Sequence, residues 1–170
     1  MAPYKNPSKS LQGAVNRANG KWFEEYLEMA LRYYSSKGIA EIQKTPEPMR
    51  PLRSMGGGRF VACFTGKAQP DFKGTLRGGR TVIFDAKYTG HKYIDKSAVT
   101  QNQADLLDRY AKMGAWCFIL AALGNGTCYR VPWEIWRTME TITGFKRMTE
   151  ADLVRYRVPI AANGIPLILG

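Results

Sequence analysis

The stretch QPDFKGTLRGGRTVIFDAKYTG, residues 69–90, decides how this sequence is interpreted. Its two β-rich runs, DFKGTL and RTVIFDAKY, flank an RGG turn, which is typical of an antiparallel hairpin. In such a hairpin the start of the first strand lies beside the end of the second. Asp71 therefore falls next to Asp85 and Lys87. Because these last two residues are two apart, their side chains share one face, while Ala86 points the other way.

Two carboxylates that meet at one point favour a bound cation, because like charges repel unless a positive charge lies between them. A hard divalent ion such as Mg2+ takes oxygen ligands and keeps waters for a substrate phosphate. Lys87, beside the two acids, would then stabilise charge on that phosphate or orient the attacking water. The same residues also fit a salt-bridged hairpin whose charges face solvent.

The composition is that of one intracellular globular domain. The chain has 170 residues, of which 45% are hydrophobic, and this suits a single core. It contains no apolar run of membrane-spanning length, and its start lacks the apolar segment of a secretory signal, so we expect a cytoplasmic protein. Cys63, Cys117 and Cys128 lie in apolar runs and form no CxxC pair, which favours buried free thiols.

The net charge of +11 favours a polyanionic partner, of which nucleic acid is the commonest. Three prolines and three glycines interrupt the chain at about residues 45–58, which predicts a loop or an extended arm. A basic arm would contact phosphates, whereas the alternative is a plain connecting loop. The candidate DNA-binding residues in and after this segment are Arg50, Arg53, Arg59, Lys67 and Lys73.

The remaining pattern predicts an α/β domain with a mixed sheet. Apolar residues at helical spacing predict a first helix over residues 11–37, and a second is predicted over 97–114 with Ser97 as its N-cap. The apolar run at 115–123 is typical of a buried central strand. Further strands are predicted at 39–44, 60–64 and 128–131, helices from Pro132 and Thr149, and a turn at Asn163-Gly164.

These motifs together resemble a known nuclease superfamily. Pro70-Asp71 followed by Asp85-Ala86-Lys87 matches the PD-(D/E)xK signature of metal-dependent nucleases, and Gly20 with Glu24 matches the spacing of its first-helix glutamate. More closely, the chain resembles RecU, the Holliday junction resolvase of Gram-positive bacteria and their phages. The similar segments, in order, are IAEIQKTPEP (39–48), DFKG (71–74), FDAKYT (84–89), Gln103, the tryptophan-bearing helix at 133–139 and VPIAANGIPLIL (158–169).

The resemblance implies a restriction-endonuclease-like fold over a single nuclease domain, residues 1–170. It implies that Asp71, Asp85 and the Ala86 carbonyl bind Mg2+, with Mn2+ as an alternative, and that Lys87 is the catalytic lysine. The segment at 45–58 would correspond to the stalk that RecU-type enzymes insert into the junction centre.

Two further residues gain a role from the resemblance, and each has an ordinary alternative. Glu24 would bind or orient a metal or its water, or it is an exposed acid of the first helix. Gln103 would position a water or a phosphate, or it is an ordinary polar residue at a helix start. His91 is interpreted as a solvated loop residue. Stacking of Tyr88 and Tyr93 on unpaired bases is a minor alternative to their packing in the protein.

The function implied is a Mg2+-dependent endonuclease that resolves four-way junctions in DNA recombination and repair, in a bacterial or phage-infected cell. Two symmetric nicks need a two-fold pair of active sites, so we expect a homodimer. The alternatives are a related nuclease with another DNA target and a non-catalytic basic DNA-binding protein. The sequence departs from RecU in three ways: Asp85 stands where glutamate is usual, Pro70 where threonine is frequent, and the arm is short.

Overall fold

The computed structural model describes residues 7–66 and 69–170, with side chains from residue 20 onward. The helices are α1 (Pro7–Ser36), α2 (Gln101–Lys112), α3 (Trp133–Arg137), α4 (Met139–Thr143) and α5 (Glu150–Leu153), with 3-10 turns at Lys96–Ala98 and Val154–Tyr156. The strands are β1 (Ala40–Lys44), β2 (Met49–Gly56), β3 (Arg59–Phe64), β4 (Phe72–Leu76), β5 (Thr81–Tyr88), β6 (Tyr93–Asp95), β7 (Trp116–Ala122), β8 (Cys128–Pro132) and β9 (Arg147–Thr149). Within these residues, no helix combines the length and the apolar character needed to cross a membrane.

The predicted mixed sheet is confirmed. Its five strands lie in the order β1-β4-β5-β7-β8, with β5 and β7 parallel and the other neighbours antiparallel. The connection from β5 to β7 passes through α2, as a parallel pair requires a crossover. Helix α1 packs on one face of the sheet, and α2 with α3 packs on the other. The domain is therefore a three-layer α/β arrangement.

Alternation along β5 divides its side chains between two hydrophobic cores. Phe84 stacks between Phe72 and Phe118 on the α1 side, with ring centroids 4.8 and 4.7 Å apart. Ile83 faces the other core, where it packs with Leu107 of α2. Since this alternation continues to the end of the strand, Asp85 and Lys87 belong to the α2 side and Ala86 to the α1 side.

Strand β4 lies against β1 more closely than a side chain allows. A Cβ at Gly74 would lie 2.0 Å from the carbonyl oxygen of Glu41, so only glycine fits there. The pairing continues beyond both strands, because the backbone N–H of Thr45 donates to the carbonyl of Asp71 at 2.7 Å. The end of β1 is thereby joined to the backbone of the first candidate acid.

The segment after β1 forms a hairpin, and it corrects one expectation, the burial of Cys63. Of the two alternatives for residues 45–58, a loop or an extended arm, the structure has the arm: β2 and β3 form an exposed hairpin separate from the main sheet, and residues 49–64 are called the arm from here on. The strand predicted at 60–64 is confirmed as β3. Pro51 is tolerated because both strands of a two-stranded ribbon are edges, where a missing N–H costs no pairing. Cys63 lies on this arm and is half-buried, whereas Cys117 and Cys128 are buried as expected.

Two element boundaries also differ from the prediction. The N-cap of α2 is Thr100 rather than Ser97, which lies in the preceding 3-10 turn, because Thr100 and Gln103 form a reciprocal capping box. The helix predicted from Pro132 is divided at Thr138 into α3 and α4. The Asn163-Gly164 turn is confirmed, since Ile160 pairs with Pro166 and Gly164 has a φ of 80°.

Candidate active site

Asp71 and Asp85 lie next to each other where β4 begins and β5 ends. The backbone N–H of Asp71 donates to Asp85 Oδ1 at 3.2 Å, and the backbone N–H of Ala86 donates to Asp71 Oδ2 at 3.0 Å. Pairing of the two strands ends at Phe72 and Phe84, so Ala86 faces Asp71 instead of a strand. Because the N–H and C=O of one strand residue point to the same side, the Ala86 carbonyl also faces Asp71.

Asp85 is the buried centre of the site. Its side chain is 0% exposed, and Lys87 Nζ lies 2.7 Å from Oδ2. Oδ1 accepts a further hydrogen bond from Gln103 Nε2 at 2.7 Å. Among the described residues Oδ2 accepts no well-aligned hydrogen bond, which leaves the ammonium of Lys87 as its polar neighbour. The acid pair and the lysine predicted to converge are therefore brought together.

The surroundings of Asp85 favour its neutral form. Burial, and then the negative charge of Asp71, raise the pKa of Asp85 to about 7, while the ammonium of Lys87 opposes the rise. A second positive charge at this position would favour the ionised carboxylate. The site thus has the electrostatic character of one that accepts a cation.

Gln103 holds Asp85 from the start of α2. Its Oε1 accepts from the backbone N–H and the hydroxyl of Thr100, at 3.1 and 3.0 Å. Its Nε2 donates to Asp85 and, at 3.3 Å, to the carbonyl of Gln69. With both ends of the amide engaged, Gln103 orients the carboxylate. Thr100 and Gln69 were not among the predicted site residues, although the pattern Thr-x-x-Gln is a capping-box signal that identifies Thr100.

Glu24 approaches the site from α1, on the other face of the sheet. Its Oε2 lies 2.5 Å from Lys44 Nζ, and this hydrogen bond raises the pKa of Lys44. Both residues line a cleft of about 210 Å3 that also exposes Asp71 and Ala86. Glu24 therefore shares a cavity with part of the acid pair, and it is held by Lys44, which was not among the predicted site residues.

The donor set fits a hard divalent cation. Carboxylate oxygens of Asp71 and Asp85 and the carbonyl of Ala86 are oxygen ligands of the kind that Mg2+ takes. The buried Oδ2 of Asp85 lies 2.7 Å from the Lys87 ammonium and accepts no well-aligned hydrogen bond from the described residues, so it is the atom that would gain most from a metal. Within the described ranges no three His, Cys, Asp or Glu side chains form a complete metal cage. Water and substrate oxygens would complete the coordination.

The arm gathers its arginines on one face. On β3, Arg59, Val61 and Cys63 alternate onto the same face, and their partners on β2 are Gly56, Arg53 and Arg50. Arg50 and Arg53 are three residues apart and would diverge on a regular strand. They share a face because β-bulges insert Leu52 and Met55 as extra residues. The opposite face is mostly apolar and carries Met49, Pro51, Ser54, Phe60, Ala62 and Phe64.

Of the other two candidate DNA contacts, Lys73 and Lys67, the structure describes only Lys73. Lys73 bonds the Gln69 side chain and lies 5.8 Å from the centre of the Tyr110 ring, on the sheet face that carries Asp85. Lys67 lies outside the described residues.

Replacing Asp85 with asparagine is expected to stabilise the metal-free protein at pH 8. The folded chain binds the Asp85 proton more tightly than the unfolded chain, whose aspartate titrates near 3.8. The free energy of unfolding therefore falls as the pH rises from about 4 to 7. In Asp85→Asn this fall is absent, because asparagine does not ionise. We expect a melting temperature raised by about 5 °C at pH 8 and almost unchanged at pH 4, measured in EDTA.

Asp152 supplies a control of opposite sign. Hydrogen bonds from Thr149 lower the pKa of Asp152. The ionised carboxylate therefore increases the free energy of unfolding at neutral pH, and this increase is lost on acidification. Asp152→Asn should lower the melting temperature at pH 8. An Asp85→Asn variant that melts below wild type at pH 8 would contradict the assignment of a repulsive acid pair.

A mixed sheet between two helical layers, with two acids and a lysine at one edge, defines a nuclease of the restriction-endonuclease-like class. Residues 18–168 match the family model of Recombination protein U, so the chain belongs to the RecU family. RecU proteins are Holliday junction resolvases, and the chain is accordingly a nuclease that cleaves DNA phosphodiester bonds.

A solved structure agrees in fold. The chain is similar to Hjc from Archaeoglobus fulgidus, a Holliday junction resolvase of an archaeal hyperthermophile, over 86% of this chain and 95% of that one. The TM-score is 0.50 and the sequence identity 15%, a likeness that concerns the fold. A comparison with curated protein sequences finds no significant match.

Proposed function

We propose that the chain resolves four-way DNA junctions by paired symmetric nicks, each made by Mg2+-dependent hydrolysis. The observation that supports this most is the meeting of Asp71, Asp85 and Lys87 at one edge of the sheet. Buried acids in a basic DNA-binding protein weaken binding unless a cation offsets them, so a purely binding protein has no use for this arrangement. The whole chain acts as a single nuclease domain in the cytoplasm, where junctions arise.

Asp71, Asp85 and the Ala86 carbonyl would hold the metal. A bound Mg2+ supplies a Lewis acid for the scissile phosphate and lowers the pKa of a water that attacks it. Mn2+ would occupy the same oxygen set. Gln103 keeps the Asp85 carboxylate in one orientation through the hydrogen bonds described above, so that little reorganisation is needed when substrate binds.

Lys87 and Glu24 act on opposite sides of the acids. Lys87 shares a face with Asp85, and its side chain is 22% exposed, so the ammonium reaches solvent from a mostly dry position. There it stabilises the charge that develops on the phosphate. Glu24 orients water in the cleft from the α1 side, and Lys44 keeps its carboxylate in place until substrate arrives.

Two copies of the chain would cut one junction. Resolution needs two nicks related by symmetry, and a two-fold homodimer supplies two equivalent sites. The arginine face of the arm contacts phosphates near the junction centre, while the active sites act on the flanking duplex.

Cleavage of an end-labelled immobile four-way junction, compared with linear duplex, tests the proposal. We expect symmetric nicks on the junction with Mg2+, and none in EDTA or with Asp71→Asn. Equal cleavage of both DNAs would retain the metal site and reject junction specificity. Tight binding without cleavage at any Mg2+ or Mn2+ concentration would reject the enzyme and favour a DNA-binding protein.

A further inference from the structure

A ladder of stacked side chains lies beyond the end of β5. The rings of His91 and Tyr93 are stacked with centroids 5.1 Å apart and an interplanar angle of 9°. The guanidinium carbon of Arg147 lies 4.5 Å from the Tyr93 ring centre. Arg147 pairs with Asp95, which follows Tyr93 by two residues, and His91 precedes Tyr93 by two residues. Arg147 and His91 therefore approach the Tyr93 ring from opposite directions along the strand.

The outer end of this ladder is open to a ligand. His91 and the neighbouring Lys92 are exposed, and Tyr93 is half-buried between its two neighbours. Asp95 neutralises Arg147 at 3.3 Å, so the inner end of the ladder is closed by an ion pair. The face of His91 turned away from Tyr93 therefore offers a flat surface, and the exposed Lys92 is its neighbour in sequence.

The backbone that presents the ladder is fixed by several contacts. The N–H of Thr89 donates to the Ala122 carbonyl at 3.0 Å, and the N–H of His91 donates to the hydroxyl of Thr89 at 3.2 Å. A Cβ at Gly124 would lie 2.5 Å from the carbonyl oxygen of Gly90, so the loop lies directly against the β7–β8 turn. A surface held in this way binds with little loss of conformational entropy.

The ladder is close to the reacting centre. His91 follows Lys87 by four residues, and four extended residues span at most about 14 Å. One DNA strand rises 3.4 Å per nucleotide, so this reach corresponds to about four nucleotides. The ladder lies at the carboxyl end of the parallel strands β5 and β7, and this is the end at which ligands of α/β sheets bind.

We propose that the ladder of His91, Tyr93 and Arg147, with Lys92, is a second DNA contact that holds the strand within about four nucleotides of the nick. The His91 ring stacks on a base that is unpaired or partly unstacked beside the junction, and Lys92 contacts the adjacent phosphate. The inference rests on the proposed function, and it assigns to this loop a contact separate from the arm.

Binding of a fluorescent four-way junction, measured by anisotropy in Ca2+ with Asp71→Asn as background, tests the contact. We expect His91→Ala to bind about five- to tenfold more weakly, and His91→Phe, which keeps a flat ring, to bind within twofold of the background. Lys92→Ala should reduce the slope of log K against log salt by about one unit. Hydroxyl-radical footprints should lose protection near the nick in His91→Ala and keep it in His91→Phe.

Lys37 supplies a matched control, because it is an exposed lysine near an aromatic ring, Tyr33, at the opposite end of the sheet. Lys37→Ala should bind like the background. If the background protein binds the junction and His91→Ala binds equally well with an unchanged footprint, the ladder is only structural and the inference fails. If the background protein does not bind the junction at all, the proposed function itself fails.

Discussion

Alanine at Lys87 is expected to slow junction cleavage by about a thousandfold, a loss typical of removing one preorganised electrostatic group from an active site. The ammonium is the single cation placed against Asp85 among the described residues, at 2.7 Å from Oδ2. Its loss removes positive charge where the phosphate would react. Single-turnover cleavage rates, measured at increasing Mg2+ concentrations, check the prediction.

Two features of that experiment separate catalysis from metal binding. If Lys87 acts on the phosphate, saturating Mg2+ does not restore the cleavage rate of Lys87→Ala. If the substitution only weakened metal binding, saturating Mg2+ would restore that rate. Lys112→Ala, which removes an exposed lysine from the far end of α2, should cleave at the wild-type rate. A Lys87→Ala variant that cleaves within tenfold of wild type, with an unchanged melting temperature, would remove Lys87 from the mechanism.

Substituting Arg50, Arg53 and Arg59 together by alanine should weaken junction binding by about a hundredfold, because three charge-assisted phosphate contacts are lost from one face. Binding to linear duplex should weaken far less. The slope of log K against log salt should become shallower by about two to three units. Anisotropy titrations over a range of salt concentrations measure both effects.

A control of equal charge comes from Lys21 and Arg32 of α1 and from Lys37, which follows the helix; all three are exposed and lie outside the arm. Their triple alanine variant should retain the preference for the junction. If both triple variants lose the same affinity for both DNAs, the arginines act through net charge and the arm has no part in recognising the branch.

The hairpin that carries the acids was predictable because a period-two pattern and a glycine turn fix its register without reference to the rest of the chain. Asp71, Asp85 and Lys87 were placed together on that basis, and the structure places them so. The apolar run at 115–123 likewise predicted a buried strand, since an all-apolar strand is covered on both faces. The structure has it as β7, beside β5.

Other parts of the site depend on contacts between distant segments, which no local pattern encodes. Gln103 reaches Asp85 only because α2 packs against β5, and Glu24 meets Lys44 only because α1 crosses beside β1. The faces of the arm depend on bulges at Leu52 and Met55, two ordinary residues without a sequence signature for a bulge. Pro51 argued against a strand at this position, because proline is found in sheets mainly on edge strands, and β2 is such an edge.

The bulges of the arm also bear on self-association. A ribbon with two unpaired edges and an apolar face is the kind of structure that adds strands from other molecules and aggregates. Pro51, the bulged Leu52 and Met55 and the arginine face each interrupt such an edge. Deleting Leu52 and Met55 would leave the arginines on their face but produce a flatter, regular ribbon. The irregularity of the arm therefore opposes the addition of further strands to an exposed hairpin.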